Sequence, residues 1–319
     1  MRLKKLYEII VEEGMSADPR DKKVVLESIK KTKEAYQRSD PKDKEYFDKW
    51  SLGNPYDDTR ILNGDLDAEI KTALVGIDID TSELLLIDRL NSKNKEKIDL
   101  AISHHPQGSA FAALGAVMQM QADIFYDLGV PINVSEKLVD EREKEISRRI
   151  HAANHYRVPD AARLLGIPLL CMHTPADNHA VAYLEELLLQ KKPQDLKGIM
   201  DMLMGIEEYK ISSRQSVKPT ILFGSPSSRP GKIFVDMTGG TEGPKEIFDN
   251  LLSAGVGTIV GMHLSEEHYK KLHGKNINVI IAGHIASDNL GMNLLLDKIQ
   301  DKGKIKILAC SGFRRIKRS

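Results

Sequence analysis

The feature that most narrows what this chain can become is an alternation that begins at Arg60. Apolar runs of strand length recur at RILNG (60–64), TALVGIDI (72–79), ELLLID (83–88) and IDLAIS (98–103). A helical stretch over about 109–127 follows. Ser135 then caps a long charged helix, EKLVDEREKEISRRIHAANH, and PDAARLLG makes a shorter helix ending at Gly166. IPLLCM (167–172) is a buried strand. After residue 218 the alternation resumes, with PTILFG and KIFVDM as strands, PKEIFDNLLSAG a helix and TIVGMH a strand. SEEHYKKLH, NVIIAG, a helix from about Ser287 to Asp301 and KIKILAC complete it. Strands interleaved with helices predict an α/β fold in two halves of similar size.

These shifts of pattern divide the chain into four parts: a helical N-terminal extension (1–55), a first α/β half (56–190), a connecting segment (191–217) and a second α/β half (218–319). In the extension, Asp18-Pro19 and Asp40-Pro41 each offer an N-cap acceptor followed by a proline at the first helical position. Val25, Ile29, Thr32 and Tyr36 share one helical face, suited to packing or to an oligomer contact. The methionines at 200, 202 and 204 in the connecting segment read as helix packing. Two similar halves are compatible with an old duplication, yet no sequence repeat proves one.

Composition sets the class. The 319 residues, 41% of them hydrophobic, can bury a sizeable core, which excludes a disordered chain. The 46 basic and 46 acidic residues balance, so no global field draws the chain to nucleic acid or an anionic membrane, and nucleic acid is not an expected partner. Glu8, Glu12 and Glu13 interrupt what would have to be the apolar core of a signal peptide. The uncharged stretch 100–122 contains His104, His105, Pro106 and three glutamines, which argues against a membrane span. Cys171 and Cys310 have no paired spacing and read as thiols of a reducing compartment. The expectation is a cytoplasmic protein without a membrane partner.

Three short segments carry chemistry, and each follows a strand, where α/β folds place their sites. The first is Ser103-His104-His105-Pro106; a turn at the strand end lets both rings reach one place, and two imidazoles suit Zn, Fe, Mn or Ni. The second is His173-Thr174-Pro175-Ala176-Asp177, in which Asp177 either ligates or caps a helix starting near Ala180. The third is Gly283-His284-Ile285-Ala286-Ser287-Asp288, with His284 and Asp288 one helical turn apart and Ser287 as a competing cap. Together they supply more ligands than one catalytic zinc needs, and they suit two ions with a bridging carboxylate.

In this order the three motifs resemble the NGG-interacting-factor family, the GTP cyclohydrolase type-two family of dinuclear metal proteins. YDDTRILNG, ALVGIDID and KIFVDMTGGTEGPKEIFDNLLSAGVGTIVGMHLSEEH are similar to further stretches of that family. The resemblance implies two divalent ions (Zn, Fe, Mn or Ni) held by His104, His105, Asp177, His284 and Asp288, with Asp288 bridging where the family has glutamate. It also implies a ring-like homo-hexamer. His173, His263 and Glu266 are the candidates for orienting roles around the ligands. Asp78 and Asp80 end a strand pointing to the same region, and Gly239, Gly240 and Gly243 offer a tight turn or an anion cradle. His151 and His155, one turn apart on the inserted helix, read as a solvated face. The basic tail GFRRIKRS reads as solvated.

The chemistry expected of such a site is metal-dependent hydrolysis of a nucleotide or related small molecule, as in a cyclohydrolase. The alternative is a non-catalytic metal-binding ring scaffold or partner-binding protein. No guanine pocket is recognisable in the sequence.

Overall fold

Two mixed sheets flanked by helices make an α/β protein; the computed structural model describes residues 1–93 and 97–318. The chain opens with α1 (Leu3–Ser16), α2 (Lys22–Arg38) and α3 (Pro41–Glu45). Then come β1 (Thr59–Asn63), β2 (Thr72–Gly76), α4 (Thr81–Lys93) and β3 (Leu100–Ser103). The long insertion holds α5 (Gly108–Ala112), α6 (Leu114–Val117), α7 (Met120–Asp127), α8 (Ile132–Ile150) and α9 (Arg157–Leu165). β4 (Leu169–Met172) and α10 (Thr174–Lys191) close this series, and α11 (Leu196–Leu203) and α12 (Glu207–Arg214) lead onward. The second series is β5 (Thr220–Phe223), β6 (Lys232–Asp236), α13 (Ile247–Ser253), β7 (Val256–Gly261), α14 (Glu266–Leu272) and β8 (Asn278–Ile281). It ends with α15 (His284–Lys302) and β9 (Lys306–Cys310).

The sheets repeat one plan. The first has the order β1-β4-β3-β2-β9 and the second β5-β8-β7-β6. In both, the leading strand runs antiparallel and carries a register shift, at Ile61/Asn63 and at Ile221/Phe223, while the rest run parallel. β9, which sequence order groups with the second half, instead pairs with β2 of the first sheet. The terminal segment thus straps the halves together.

Several local expectations change. ELLLID is not a strand but the start of α4, because Glu83 supplies one half of a capping box: its carboxylate accepts from the Asp80 N–H at 2.8 Å. Leu84 and Ile87 are then buried, one face of a helix. Ser135 does not cap α8, which starts at Ile132 after Pro131, and α8 stops at Ile150, so His151 and His155 share no helix. The stretch 109–127 breaks into α5, α6 and α7. α2 begins after Asp21, whose side chain accepts from the Lys23 N–H, whereas Asp18 clasps Arg20.

The N-terminal helix lies in the core. Leu3, Leu6, Ile9 and Ile10 of α1 pack with Ala73 and Val75 of β2 and with Met292, Leu295 and Ile299 of α15. Each such fully buried aliphatic side chain contributes about 1.5–3 kcal/mol from burial. At the other end, the tail lies along α15. The amides of Arg314, Ile316 and Arg318 donate to the side chains of Asn289, Asn293 and Asp297 at 2.7, 2.9 and 3.1 Å. The match is geometric: two extended residues span about 6.6 Å and four helical residues about 6 Å. The tail is therefore docked rather than solvated, and it holds the helix that carries His284 and Asp288.

Candidate metal centre

β3, β4 and β8 end side by side with the starts of α10 and α15, and this brings the three motifs together. His104 and His105 leave β3; their backbone N–H groups donate to Gly76 and Ile77, which turns both rings inward. α10 starts at Thr174, earlier than a cap at Asp177 would allow, so Asp177 sits in its first turn and faces the cluster. α15 starts at His284, not near Ser287. The Ser287 hydroxyl donates to the Gly283 carbonyl, and His284 and Asp288 project from one face.

The geometry is that of a ligand cage. His104 Nε2 lies 3.5 Å from Asp177 Oδ1 and 3.5 Å from Asp288 Oδ1. His105 Nε2 and His284 Nε2 lie 3.4 and 3.6 Å from Asp288 Oδ2, and His173 Nε2 lies 3.7 Å from Asp177 Oδ2. These gaps are too long for good hydrogen bonds. They match the spacing of about 3.4 Å between ligands held tetrahedrally at about 2.1 Å from one ion. Two overlapping groups could hold an ion: His104, His105 and Asp288, and His104, His173 and Asp177.

Burial supports the fit. His104 Nε2, Asp177 Oδ1 and both Asp288 oxygens are buried without a hydrogen-bond partner. Such orphans each cost stability unless something satisfies them. Burial pushes the Asp177 carboxyl well above the usual carboxylate range, Asp288 adding to the effect against His173. Asp288 is also desolvated, yet His104 and His105 hold it well below that range. Burial lowers His104 to about 4, against the pull of Asp288, so its ring is neutral, as metal ligation requires. Burial opposes a proton on His105 and His173 too, yet Asp288 raises His105 and Asp177 with Asp58 raises His173 to about 9, so protons on these rings supply the positive charge that a divalent ion would otherwise bring to the two carboxylates.

Carboxylates behind the rings orient them. Asp58, fully buried, meets His173 Nδ1 at 2.8 Å and accepts from the Thr174 hydroxyl at 2.6 Å. Asp78 meets His105 Nδ1 at 2.7 Å. This is the carboxylate–histidine arrangement that fixes a ligand's tautomer. The Nδ1 of His173 is spent on Asp58 and its Nε2 faces Asp177. Asp58 is the residue that sequence reasoning missed, though YDDTRILNG was the stretch that held it. Asp80 takes no part; it caps α4 and pairs with Arg157 at 2.8 Å.

Beside the cage opens a cavity of about 260 Å³, bounded by His105, His173, Asp177, His284 and Asp288 on one side and by Asp236, Thr238, Glu242 and His263 on the other. His263 lines it, its ring 4.8 Å from that of His284. Glu266 does not: its side chain is 73% exposed and pairs with Lys270. The acid beside His263 is Glu242, 3.2 Å from its Nδ1, carried by the turn TGGTEG. That turn is pinned by the Gln121 amide, which donates to the carbonyls of Gly239 and Thr241. His151 is exposed and His155 packs edge-on to Phe111; neither reaches the cage. No helix among the described residues is long and apolar enough to cross a membrane.

No protein-family model matches the chain, and no curated protein does. Among solved structures, it is similar to the NIF3 superfamily protein from Sphaerobacter thermophilus, at 26% identity and a TM-score of 0.69, over 80% of this chain and 91% of that one. It shares its fold with reduced HcgD from Methanocaldococcus jannaschii, at 14% identity and a TM-score of 0.52, over 84% and 94% of the two chains.

Proposed function

We propose, from the premise that this chain is by fold and motif a NIF3-superfamily protein, that it holds two divalent ions and uses them in hydrolysis. His104, His105, Asp177, His284 and Asp288 are the ligands of this reading, with His173 joining His104 and Asp177. The observation that carries it is His104 Nε2, buried and unpartnered, 3.5 Å from a carboxylate oxygen of Asp177 and of Asp288. The mixed imidazole and carboxylate set suits Zn, Fe, Mn or Ni. When bound, the ions would supply Lewis-acid polarisation and water activation.

The protein's own residues do the rest. Asp58 and Asp78 hold the His173 and His105 rings in place, and the second-half wall closes the cavity beside them. The substrate of this reading is a nucleotide or related small molecule, with ring opening of the cyclohydrolase kind as one instance. The site belongs to a cytoplasmic homo-hexamer, as the family resemblance implies. Light scattering that gives a monomer at micromolar concentration would remove the hexamer from this reading.

The test is a panel of nucleotides, phosphodiesters and cyclic amides, assayed with apo protein, metal-reconstituted protein and His104→Ala. Turnover confined to the reconstituted wild type is expected. Turnover that survives in apo protein or in His104→Ala would place the chemistry elsewhere. Metal uptake without any turnover would favour the scaffold.

A further inference from the structure

The cavity wall that faces the cage carries a carboxylate, Asp236, that accepts no hydrogen bond from the described residues. Asp236 ends β6, at the edge of the second sheet, and its side chain makes no hydrogen bond or ion pair with any of the described residues. Its neighbour Glu242 is different. Glu242 accepts from the Ser265 N–H at 2.6 Å and stands 3.2 and 3.5 Å from His263 and His268. Of the two acids on this wall, only Asp236 keeps both oxygens for a ligand. Burial, with Glu242 nearby, pushes its carboxyl up to about 6, more than the opposing pull of His263 offsets.

What would satisfy it follows from shape and chemistry. Phe111, Leu114 and Met262 also line the cavity, so it offers apolar surface to the body of a small ligand. A free carboxylate offers two coplanar acceptors, which match a pair of N–H donors in a fork. We infer that Asp236 is the specificity-determining residue of this cavity and takes the amidine-like or amino-bearing edge of a flat ring, whose other end faces the metal ligands. This rests on the proposed function for the direction in which the ligand lies. It narrows the substrate class to nitrogen-rich rings with an N–H donor edge.

Benzamidine and benzamide make the test, since they differ in the donor edge and little in shape. Binding is measured by titration calorimetry at pH 8 on apo and zinc-loaded protein, for wild type, Asp236→Asn and Asp236→Glu. Wild type should prefer benzamidine by about tenfold or more, as for a hydrogen bond between charged groups. Asp236→Asn should lose that preference, Asp236→Glu should retain most of it, and both should bind as much zinc as wild type. Equal binding of the two probes, no binding of benzamidine, or a preference that persists in Asp236→Asn would overturn the inference. Failure of wild type to bind zinc would instead overturn the metal reading, with the probe preference still measurable on apo protein.

Discussion

Gly291 of α15 stands so close to Ala176 of α10 that a Cβ there would lie 2.2 Å from the Ala176 carbonyl oxygen. Ala176 precedes Asp177, and Gly291 lies less than one turn beyond Asp288. Absence of a side chain at one position therefore sets how near the two carboxylate-bearing helices come. The obstruction is backbone, which cannot swing aside as a flexible side chain would. Gly291→Ala should destabilise the fold by about 1–3 kcal/mol, as overpacking does, and should lower metal content with it. Denaturant midpoint and elemental analysis measure the two, and an unchanged pair of values would contradict the role given to this contact.

Removing ligands should remove metal. Purified wild type is expected to bind up to two divalent ions, with Asp288 as the bridging carboxylate and His104 serving one of the two overlapping groups. His105→Ala and Asp288→Ala should each reduce the number, and His151→Ala should not. Chelation should also lower the melting temperature, because an ion bound only by the folded state stabilises it. Metal lost from His151→Ala but kept in Asp288→Ala would sink the ligand set.

Asp58 does not line the cavity beside the cage, yet it should matter to affinity. Asp58→Asn keeps the shape but removes the charge that faces His173 Nδ1 at 2.8 Å. Loss of such a partner typically weakens metal binding by about 10–100-fold. Competition with a fluorescent chelator reads this directly. An affinity equal to wild type would show that the ring is held well enough without it.

The tail ladder predicts a mechanical dependence. Asn293 accepts from the Ile316 N–H through Oδ1 and donates to Glu208 and to the Arg314 carbonyl. Asn293→Ala leaves these groups without partners, at a cost of about 1–3 kcal/mol. Faster amide exchange over residues 313–318 should accompany the loss. Unaltered exchange there would mean that Asn289 and Asp297 suffice.

Asp236 gives a pH signature. Its carboxyl rises from the ordinary 3.8 to about 6, through burial first and Glu242 second. Between those values the folded state binds the proton more firmly than the unfolded state. Asp236 therefore costs stability progressively as pH rises through that window, and the cost is complete above about 6. Asp236→Asn should be more stable than wild type at pH 8 and show little gain at pH 3.5. Equal stability of the two proteins at pH 8 would refute this.

The two halves explain why no repeat shows in the sequence. Ser103 of β3 pairs with Cys171 of β4, and Gly261 of β7 pairs with Ile281 of β8, so the strand plans correspond. Yet His173 lies two residues beyond Cys171, and His284 lies three beyond Ile281. The two His-x-x-x-Asp motifs are therefore offset by one residue relative to their sheets. The same strand plan presents different ligands, and pairwise likeness is lost.

The sequence alone determined the fold class and the motifs, since both are local. Strand-length apolar runs, helical spacing and a histidine at a strand end are legible within a few residues of each other. It misread ELLLID as a strand, because six apolar-rich residues suit either period, and the bond from the Asp80 N–H to Glu83 marks the start of a helix there. Tertiary structure decided what depends on distance along the chain. It returned β9 to the first sheet, set Asp58 behind His173 across 115 positions, and put Glu242 rather than Glu266 beside His263. The tertiary packing fixed these pairings because a buried charge or an unpaired sheet edge takes its partner from whatever the fold brings near, and sequence spacing carries no record of that proximity.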